Sequence, residues 1–518
     1  MIDLSNWLWP GAGLGLGDEF TRPWWYFSLL LWLLVGGFSL LSQLRDTRAL
    51  RYWLFFTLCF AGNMLLIAAL DAVSFYLGFS LMSLAAYGLV IHNNTAKARR
   101  AGRLYLQLAV LGEILLFSGL LLRASAAGGR FDWHSWQAVP LEPLSLTLLL
   151  LGLGLKAGFW PLHWWLPQAH PVAPAPASAL LSGVMIKAGL LGMLMFLPAT
   201  DTLMQQWAPL LLVIGLISAF YGVLAGLLYT QAKVILAYSS VSQMGYLLLL
   251  FALLSLTGVA ALPVLLAYVV HHGMAKASLF LYAGMAGEAA GRIWRQALFW
   301  LAALALMALP LSSGALVKTG LKTQLAAANL PAWLDVGLLS QLLTAGAVLT
   351  ALVLLHLAAQ LRAAINKQSN HTAKASANTK ASAGNSTGRW ALLTLLVSAL
   401  WVLPWFIVQY WQLAWPTLPL YAGLVWPLLL ALLLRWLWYK LGWQLPNHWY
   451  NRNAPALYYS LRLKRLYQPL NQPQWHWPAF SLRPLERRIN RALNRPLVST
   501  TALLCCVLFV LLLGSSTM

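Results

Sequence analysis

The sequence predicts an all-helical bundle that crosses a membrane many times, and three observations carry that prediction. The 518 residues are 60% hydrophobic and 9% charged, with mean hydropathy +0.70, whereas soluble domains carry about 25% charged residues. Apolar stretches of roughly 20 residues recur from Trp24 onward, each long enough to cross a hydrocarbon core of about 30 Å. Basic residues, finally, are sorted between alternate loops. An open sheet cannot satisfy its backbone in lipid, so the spans must be helices.

About fourteen spans are expected by length and polarity, centred near Leu33, Ala61, Met82, Gly112, Leu151, Met185, Ile217, Leu247, Ala277, Leu304, Val348, Val397, Leu428 and Val507. An N-terminal segment, 1–23, precedes a transmembrane core over 24–440 into which no soluble domain is inserted. Gly11, Gly13, Gly15 and Gly17 follow no strand and open no βαβ unit, so they read as a flexible segment and not as a dinucleotide site. No basic n-region precedes the first span and no small-residue cleavage site follows it, so the first helix is expected to be retained. Residues 368–388, rich in Ser, Asn, Ala and Lys, read as a flexible cytoplasmic loop. A Trp-, Pro- and Arg-rich stretch at 441–496 reads as an interfacial arm facing anionic lipid or a partner. A C-terminal anchor at 497–515 follows.

The net charge of +22 could indicate nucleic acid, but its distribution argues otherwise. Twenty-five Lys and Arg fall in the loops after the first, third, ninth, eleventh and thirteenth spans, and only Arg22, Arg123 and Arg130 on the opposite side. The positive-inside rule then places the rich loops in the cytoplasm and both termini outside a bacterial inner membrane. Cys59, Cys505 and Cys506 lie in apolar spans without Cys-x-x-Cys or Cys/His spacing, so no metal site and no cofactor is expected.

The remaining six basic residues are all lysines at membrane depth: Lys156, Lys187, Lys233, Lys276, Lys318 and Lys322. Central placement costs about 2.5–3.5 kcal/mol each. Lys233 and Lys322 lie near span ends, where they can snorkel. A buried lysine can give up its proton near neutrality, as arginine cannot. His271 and His272 stand before Lys276 in HHGMAK, and His272 and Lys276, four apart, share a helical face. Glu113 is the one carboxylate near mid-span, where it must be neutral or paired. Asp71, between spans two and three, reads as interfacial. Pro161, Pro167, Pro171, Pro174 and Pro176 crowd the run GFWPLHWWLPQAHPVAPAPA, which predicts a broken helix lining a hydrated cavity. Pro310, Ser312, Ser313 and Gly314 precede Lys318 in the same manner. A five-helix spacing between the two breaks implies inverted repeats, near 52–198 and 207–362.

These runs, with LAYSSVSQMGY and HHGMAKASLFLYAG, occur in the order found in a known family. The chain resembles the antiporter-like subunits of respiratory complex I, of group 4 hydrogenases and formate hydrogenlyase, and of Mrp-type cation/proton antiporters. LPQAHP and SALLSGVMIK are most like the hydrogenase-type branch. The resemblance is clear over 54–325 and implies two half-channels joined by a polar axis at the membrane midplane. By position it implies that Lys156 and Lys318 are the broken-helix lysines, Lys233 the lysine before AYSS, and His272 with Lys276 the central relay. Lys187 joins this proton path from the residue argument. Where the family has a glutamate before LMSL, this chain has Ser80, and Glu113 is expected to take over the pairing with Lys156.

The expected function is therefore proton translocation along a buried Lys/His/Glu axis, by a subunit that is not catalytic alone and depends on other subunits of a membrane complex. The alternatives are a Mrp-type cation/proton antiporter subunit, whose proton path would look much the same, and, as the resemblance implies, the proton-conducting partner of an inorganic-carbon uptake complex. A lipid-carrier transferase would want paired carboxylates and a basic phosphate site, and a plain anchor would not tolerate the lysine row.

Overall fold

A helix that is apolar on every side must take lipid or other helices as its solvent, and this chain divides its helices between the two. The computed structural model describes residues 2–441 apart from 6–7, 10, 16–20, 44–45, 290–291, 375–382, 412 and 414. The chain begins with α1 (Thr21–Gln43), α2 (Ala49–Ala68), α3 (Ala72–Val90) and α4 (Ala96–Ala126). Then come α5 (Pro143–Ala157), α6 (Leu166–Val172), α7 (Ala175–Leu180), α8 (Lys187–Phe196), α9 (Thr202–Leu227), α10 (Ala232–Thr257) and α11 (Leu262–Met285). The described chain ends with α12 (Ile293–Leu306), α13 (Ser313–Ala326), α14 (Val336–Lys374), α15 (Ala383–Trp411) and α16 (Leu418–Lys440).

Among the described residues, eleven helical segments are long and apolar enough to cross a membrane, with 175–196 counting as one. The expected spans near Leu151 and Leu304 are instead the short helices α5 and α12, because each is half of an interrupted helix. The span near Val507, the anchor at 497–515 and the arm beyond Leu441 lie outside the described residues. The stretch expected as a loop over 368–388 is helical at both ends, since α14 runs through Lys374 and α15 begins at Ala383.

Side-chain caps set several helix starts. Asp71 accepts from Ser74 N at 2.8 Å, Thr95 from Ala98 N at 3.1 Å, and Asp201 from Leu203 N at 2.8 Å, each satisfying a donor that the helix leaves free. Asp71 lies at the expected junction but is fully buried. Its carboxylate also takes Gly13 N at 3.2 Å and Ser74 Oγ at 2.6 Å. Gly13, in the segment expected to be flexible, is thereby pinned. Its strand β2 (Gly13–Leu14) pairs antiparallel with β1 (Ile2–Asp3), and Gly15 N donates to Ala68 O while Leu70 N donates to Gly13 O. The extended backbone found edges to pair with, which composition alone does not reveal.

The membrane windows of α10 and α11 are wholly buried, whereas a third or less of those of α4, α15 and α16 is buried. The core is therefore built on α10 and α11. Several helix pairs cross at backbone contact through glycine, among them α2 with α3 and α9 with α10. In α2 against α3, a Cβ on Gly62 would stand 2.5 Å from Met82 N, and one on Gly78 2.5 Å from Leu66 N. In α9 against α10, a Cβ on Gly245 would stand 2.5 Å from Gly215 O and 2.6 Å from Ala219 N. Small residues at such crossings let van der Waals contact replace the hydrophobic drive that lipid does not supply.

Replacing Gly245 with Val should force α9 and α10 apart and destabilise the fold by about 1–3 kcal/mol. Gly423, whose added Cβ meets nothing within 4 Å, supplies the control. Thermal unfolding in detergent should show a lowered Tm for Gly245→Val and an unchanged one for Gly423→Ala.

Candidate functional site

Interrupting a helix frees backbone groups that must find partners away from water. The first interruption follows Gly158, whose left-handed φ of +69° ends α5 as a glycine can without strain. Pro161 lies in the break, Pro167 in the first turn of α6, and Pro171 within α6. The freed groups are taken up by side chains of neighbouring helices. Trp160 N donates to Ser218 Oγ at 3.1 Å, and Trp165 Nε1 donates to Leu155 O at 2.7 Å. At the far end, Asn93 Nδ2 donates to Val172 O at 2.8 Å, and Lys233 Nζ donates to Ala173 O at 2.7 Å.

The second interruption separates α12 from α13 at Pro310. Ala308 and Leu311 flank that proline at φ of +68° and +66°, a left-handed conformation that costs side-chain-bearing residues about 1–3 kcal/mol. Ser312 caps α13 by accepting from Ala315 N at 3.3 Å. Gly314 permits the close return, since a Cβ there would overlap Ala305 O at 1.8 Å.

The predicted residues fall into two groups. Lys156, in the last turn of α5, is buried, and its Nζ donates to Ser83 Oγ at 2.8 Å and Tyr105 Oη at 3.4 Å. It lies over the rings of Phe79 and Tyr105 at 5.7 and 5.9 Å. The C-terminal end of a helix favours a cation there. Glu113 is also buried, and its Oε1 has no hydrogen-bond partner. The direct Glu113–Lys156 ion pair does not form. Contact ion pairs among the described residues include His92–Asp46 and Arg389–Glu288. The lysine amine instead reaches Tyr105, two turns or about 12 Å along α4 from Glu113. Gly112 and Gly152 bring α4 and α5 together at this crossing. A small cavity there, with room for about one water molecule, is lined by Phe79, Ser83, Tyr105 and Lys156 among others.

The second group surrounds α10 and α11. A single π-helical turn, Leu181–Met185, precedes Lys187, and such a turn leaves carbonyls outside the regular helical ladder. Lys187, fully buried, donates through Nζ to Ser182 O. Ser182 Oγ and Ser240 Oγ share a 2.7 Å bond, Ser240 Oγ donates to Leu236 O at 3.0 Å, and Lys276 Nζ donates to that same carbonyl at 3.1 Å. Lys187 and Lys276 are thus joined through two serines and two carbonyls across three helical elements. His272 is fully buried with neither ring nitrogen hydrogen-bonded, and Lys187, Lys276 and His271 all act on it. His271 Nδ1 bonds Ser313 Oγ at 2.8 Å, at the second break. Lys318, in the second turn of α13, is buried with no hydrogen-bond partner for Nζ, and its charge acts on His271. Lys322 Nζ donates to Thr344 Oγ1 at 2.6 Å.

Among the described residues, no direct hydrogen bond joins the Lys156 group to the Lys187 group. Sequence reasoning missed the oxygen partners Ser83, Tyr105, Ser182, Ser240 and Ser313. The signal for one of them was present, because the Ser and Gln of AYSSVSQ are out of place in an apolar helix.

Comparison with known proteins agrees with this architecture. The family described as NADH:quinone oxidoreductase/Mrp antiporter, transmembrane, matches residues 69–344. Hydrogenase-4 component B of Escherichia coli is 36% identical over 248 residues, covering 44% of this chain and 36% of that protein. NADH-quinone oxidoreductase subunit N of Maricaulis maris is 30% identical over 268 residues, covering 49% of this chain and 56% of that one. The chain thus matches only about a third to a half of the length of these curated relatives. The Mrp complex of Dietzia contains a chain of the same fold, with TM-score 0.71 and 18% identity over 97% of this chain and 56% of that one.

The Ser182–Ser240 contact is directly testable. With Cys59, Cys505 and Cys506 replaced, Ser182→Cys/Ser240→Cys should form an internal disulfide on oxidation, since hydroxyls in contact place the two Cβ atoms near bridging range. Proteolysis between the two sites followed by non-reducing electrophoresis should show the fragments held together, and each single variant should release them.

Proposed function

The chain belongs to the NADH:quinone oxidoreductase/Mrp antiporter transmembrane family, and from that premise we propose that it is the proton-translocating subunit of a multisubunit membrane complex. The observation that carries this reading is the buried row Lys187, Ser182, Ser240, Lys276 in the most enclosed helices of the fold. Amines linked through hydroxyls and carbonyls, with unpaired His272 and Lys318 beside them, are suited to passing protons and to little else. Each lysine accepts a proton as its neighbour releases one, so positive charge moves without an ion crossing the lipid. Such a row cannot choose a direction unaided, because only a free-energy source that biases its states can do so. A partner module coupled to the row is that source.

The inverted repeats belong to this reading. The first, 52–198, corresponds to α2 through α8, and the second, 207–362, to α9 through most of α14. In each the fourth span is the interrupted one, α5/α6 and α12/α13, and each interruption carries a lysine, Lys156 or Lys318. Each repeat also opens with two helices crossing through paired glycines. Five spans per repeat make the second the inverse of the first across the bilayer. The termini then lie on the outer side, with the Arg- and Lys-rich loops in the cytoplasm. Glu113, the buried carboxylate of α4, acts as the counter-charge to Lys156, replacing a contact pair with a longer electrostatic one.

The test uses inverted vesicles from cells expressing the chain with its genomic neighbours, with acidification followed by dye quenching. Lys276→Met should reduce energised proton transport by about 100-fold or more, as removal of a proton-transfer group does, while assembly on native gels stays unchanged. Glu113→Gln should also impair transport, and Ser80→Glu in that background should restore it. Full transport by Lys276→Met would sink the reading.

A further inference from the structure

The turn that joins α3 to α4 holds a histidine that lies outside the membrane spans and outside the lysine row. His92 follows the last turn of α3 and is buried, with its ring edge-on to Tyr52 of α2 at 5.2 Å between centroids. Nε2 meets Asp46 Oδ2 at 3.3 Å, so the neutral ring keeps its proton on Nε2 as a donor to the carboxylate. Nδ1 is then a bare nitrogen, buried and without a partner. A second proton has only Nδ1 to bind, and the N–H formed there would face no acceptor.

The charges around the ring oppose that second proton as well. From α2 and its N-cap, Arg51 Nη2 and Arg48 Nη1 donate to the carbonyl of His92 itself, at 2.6 and 3.3 Å. From α4, Arg99 Nη1 donates to the carbonyl of Asn94 at 2.6 Å and to its Oδ1 at 3.2 Å. Among the described residues, Asp46 in the α1–α2 loop is the one carboxylate that acts on the ring, and it is exposed. Burial above all, together with Arg51 and Arg48, outweighs Asp46 and holds the imidazole below its ordinary value of 6.5.

The residue after His92 reaches the first broken helix. Asn93 Nδ2 donates to the carbonyl of Val172, the last residue of α6, at 2.8 Å. The carbonyl of the following residue, Ala173, is the acceptor for Lys233 Nζ. The turn between the two helices is tight, with Asn94 N donating to Ile91 O at 2.8 Å and Asn94 itself at φ +52°. His92 and Asn93 therefore move together.

We propose that His92 is a pH sensor on the cytoplasmic face: neutral, it seats the α3–α4 turn so that Asn93 anchors the end of α6, and protonated, it leaves that seat and releases the first broken helix. The inference rests on the proton-transport reading and the topology given with it. Only the neutral ring fits, so the seat holds at full strength above the ordinary imidazole value and weakens as the pH falls below it, by at most about tenfold in its equilibrium constant per pH unit. Release leaves Val172 O without Asn93 and takes the fixed acceptor from Lys233. Transport then slows as the cytoplasmic face acidifies.

Two measurements on the full chain test this. In the inverted vesicles the cytoplasmic face meets the medium, so its pH can be set directly. Wild-type flux should fall by about tenfold between about pH 7.5 and about pH 5.5, and His92→Gln, which keeps a donor for Asp46 and cannot take a charge, should not show that fall. Asp46→Asn should move the midpoint to lower pH and Arg51→Gln to higher pH, opposite shifts that a packing defect does not produce. Asn93→Ala should hold flux at the acid level at both pH values. Hydrogen exchange of segment 166–173 in bilayers, compared between wild type and His92→Gln at each pH so that intrinsic rates cancel, should be faster in the wild type at acid pH only, and fast in Asn93→Ala throughout. The same pH dependence in wild type and His92→Gln, in either flux or exchange, would overturn the proposal, as would midpoints that move in one direction. No flux in the wild type at any pH would instead sink the transport reading, and the exchange measurement would still decide the role of His92.

Discussion

An ammonium group removed from water is stabilised by finding an oxygen, as every buried lysine of the core but Lys318 does, and in a bundle of apolar helices nearly every backbone oxygen is already engaged in its own helix. The architecture of this chain follows from that scarcity. Lys187 bonds a carbonyl of the π-helical turn immediately before it, and Lys233 bonds the carbonyl at the gap between α6 and α7. Lys276 shares the Leu236 carbonyl with Ser240 Oγ. Irregular backbone is therefore found where the lysines need acceptors, and it is tolerated because surrounding helices enclose it.

The same constraint explains the division of the polar row. Lys156 meets the hydroxyls of Ser83 and Tyr105, and Tyr105 Oη in turn donates to Ser83 O at 2.8 Å, so α3 and α4 present the lysine with side-chain oxygens. Serine at position 80 leaves Lys156 without a contact carboxylate, and Glu113, on a different helix, meets it only at a distance. A contact pair fixes both charges in place. A longer one leaves each free to change its protonation with less disturbance of the other.

Close approach of helices is the second requirement, because side-chain relays span only a few ångströms. Gly62 with Gly78, and Gly215 with Gly245, bring their helices to backbone contact. Gly314 allows α13 to fold back onto Ala305, so that Ser313 reaches His271. Packing on this scale is what turns isolated lysines into a connected row.

The sequence by itself determined the helical membrane class, the broken helices and the identity of the buried titratable groups. Those are consequences of composition and period: a 20-residue apolar span has one solution in lipid, a proline within it removes a hydrogen bond, and Lys276 stands one helical turn from His272 in any helix. Only the tertiary structure decided which oxygens Lys156, Lys187, Lys233 and Lys276 meet, that Glu113 and Lys156 do not touch, that Ser182 and Ser240 join two helices, and that Asp71 holds Gly13. Each of these depends on the rotation and depth of one helix against another, set by glycine contacts and by interruptions whose geometry involves residues far apart in the chain. His271 shows the difference most clearly. Its sequence context places it one residue before His272 in HHGMAK, but its bond to Ser313 Oγ exists only once α11 and α13 are packed together.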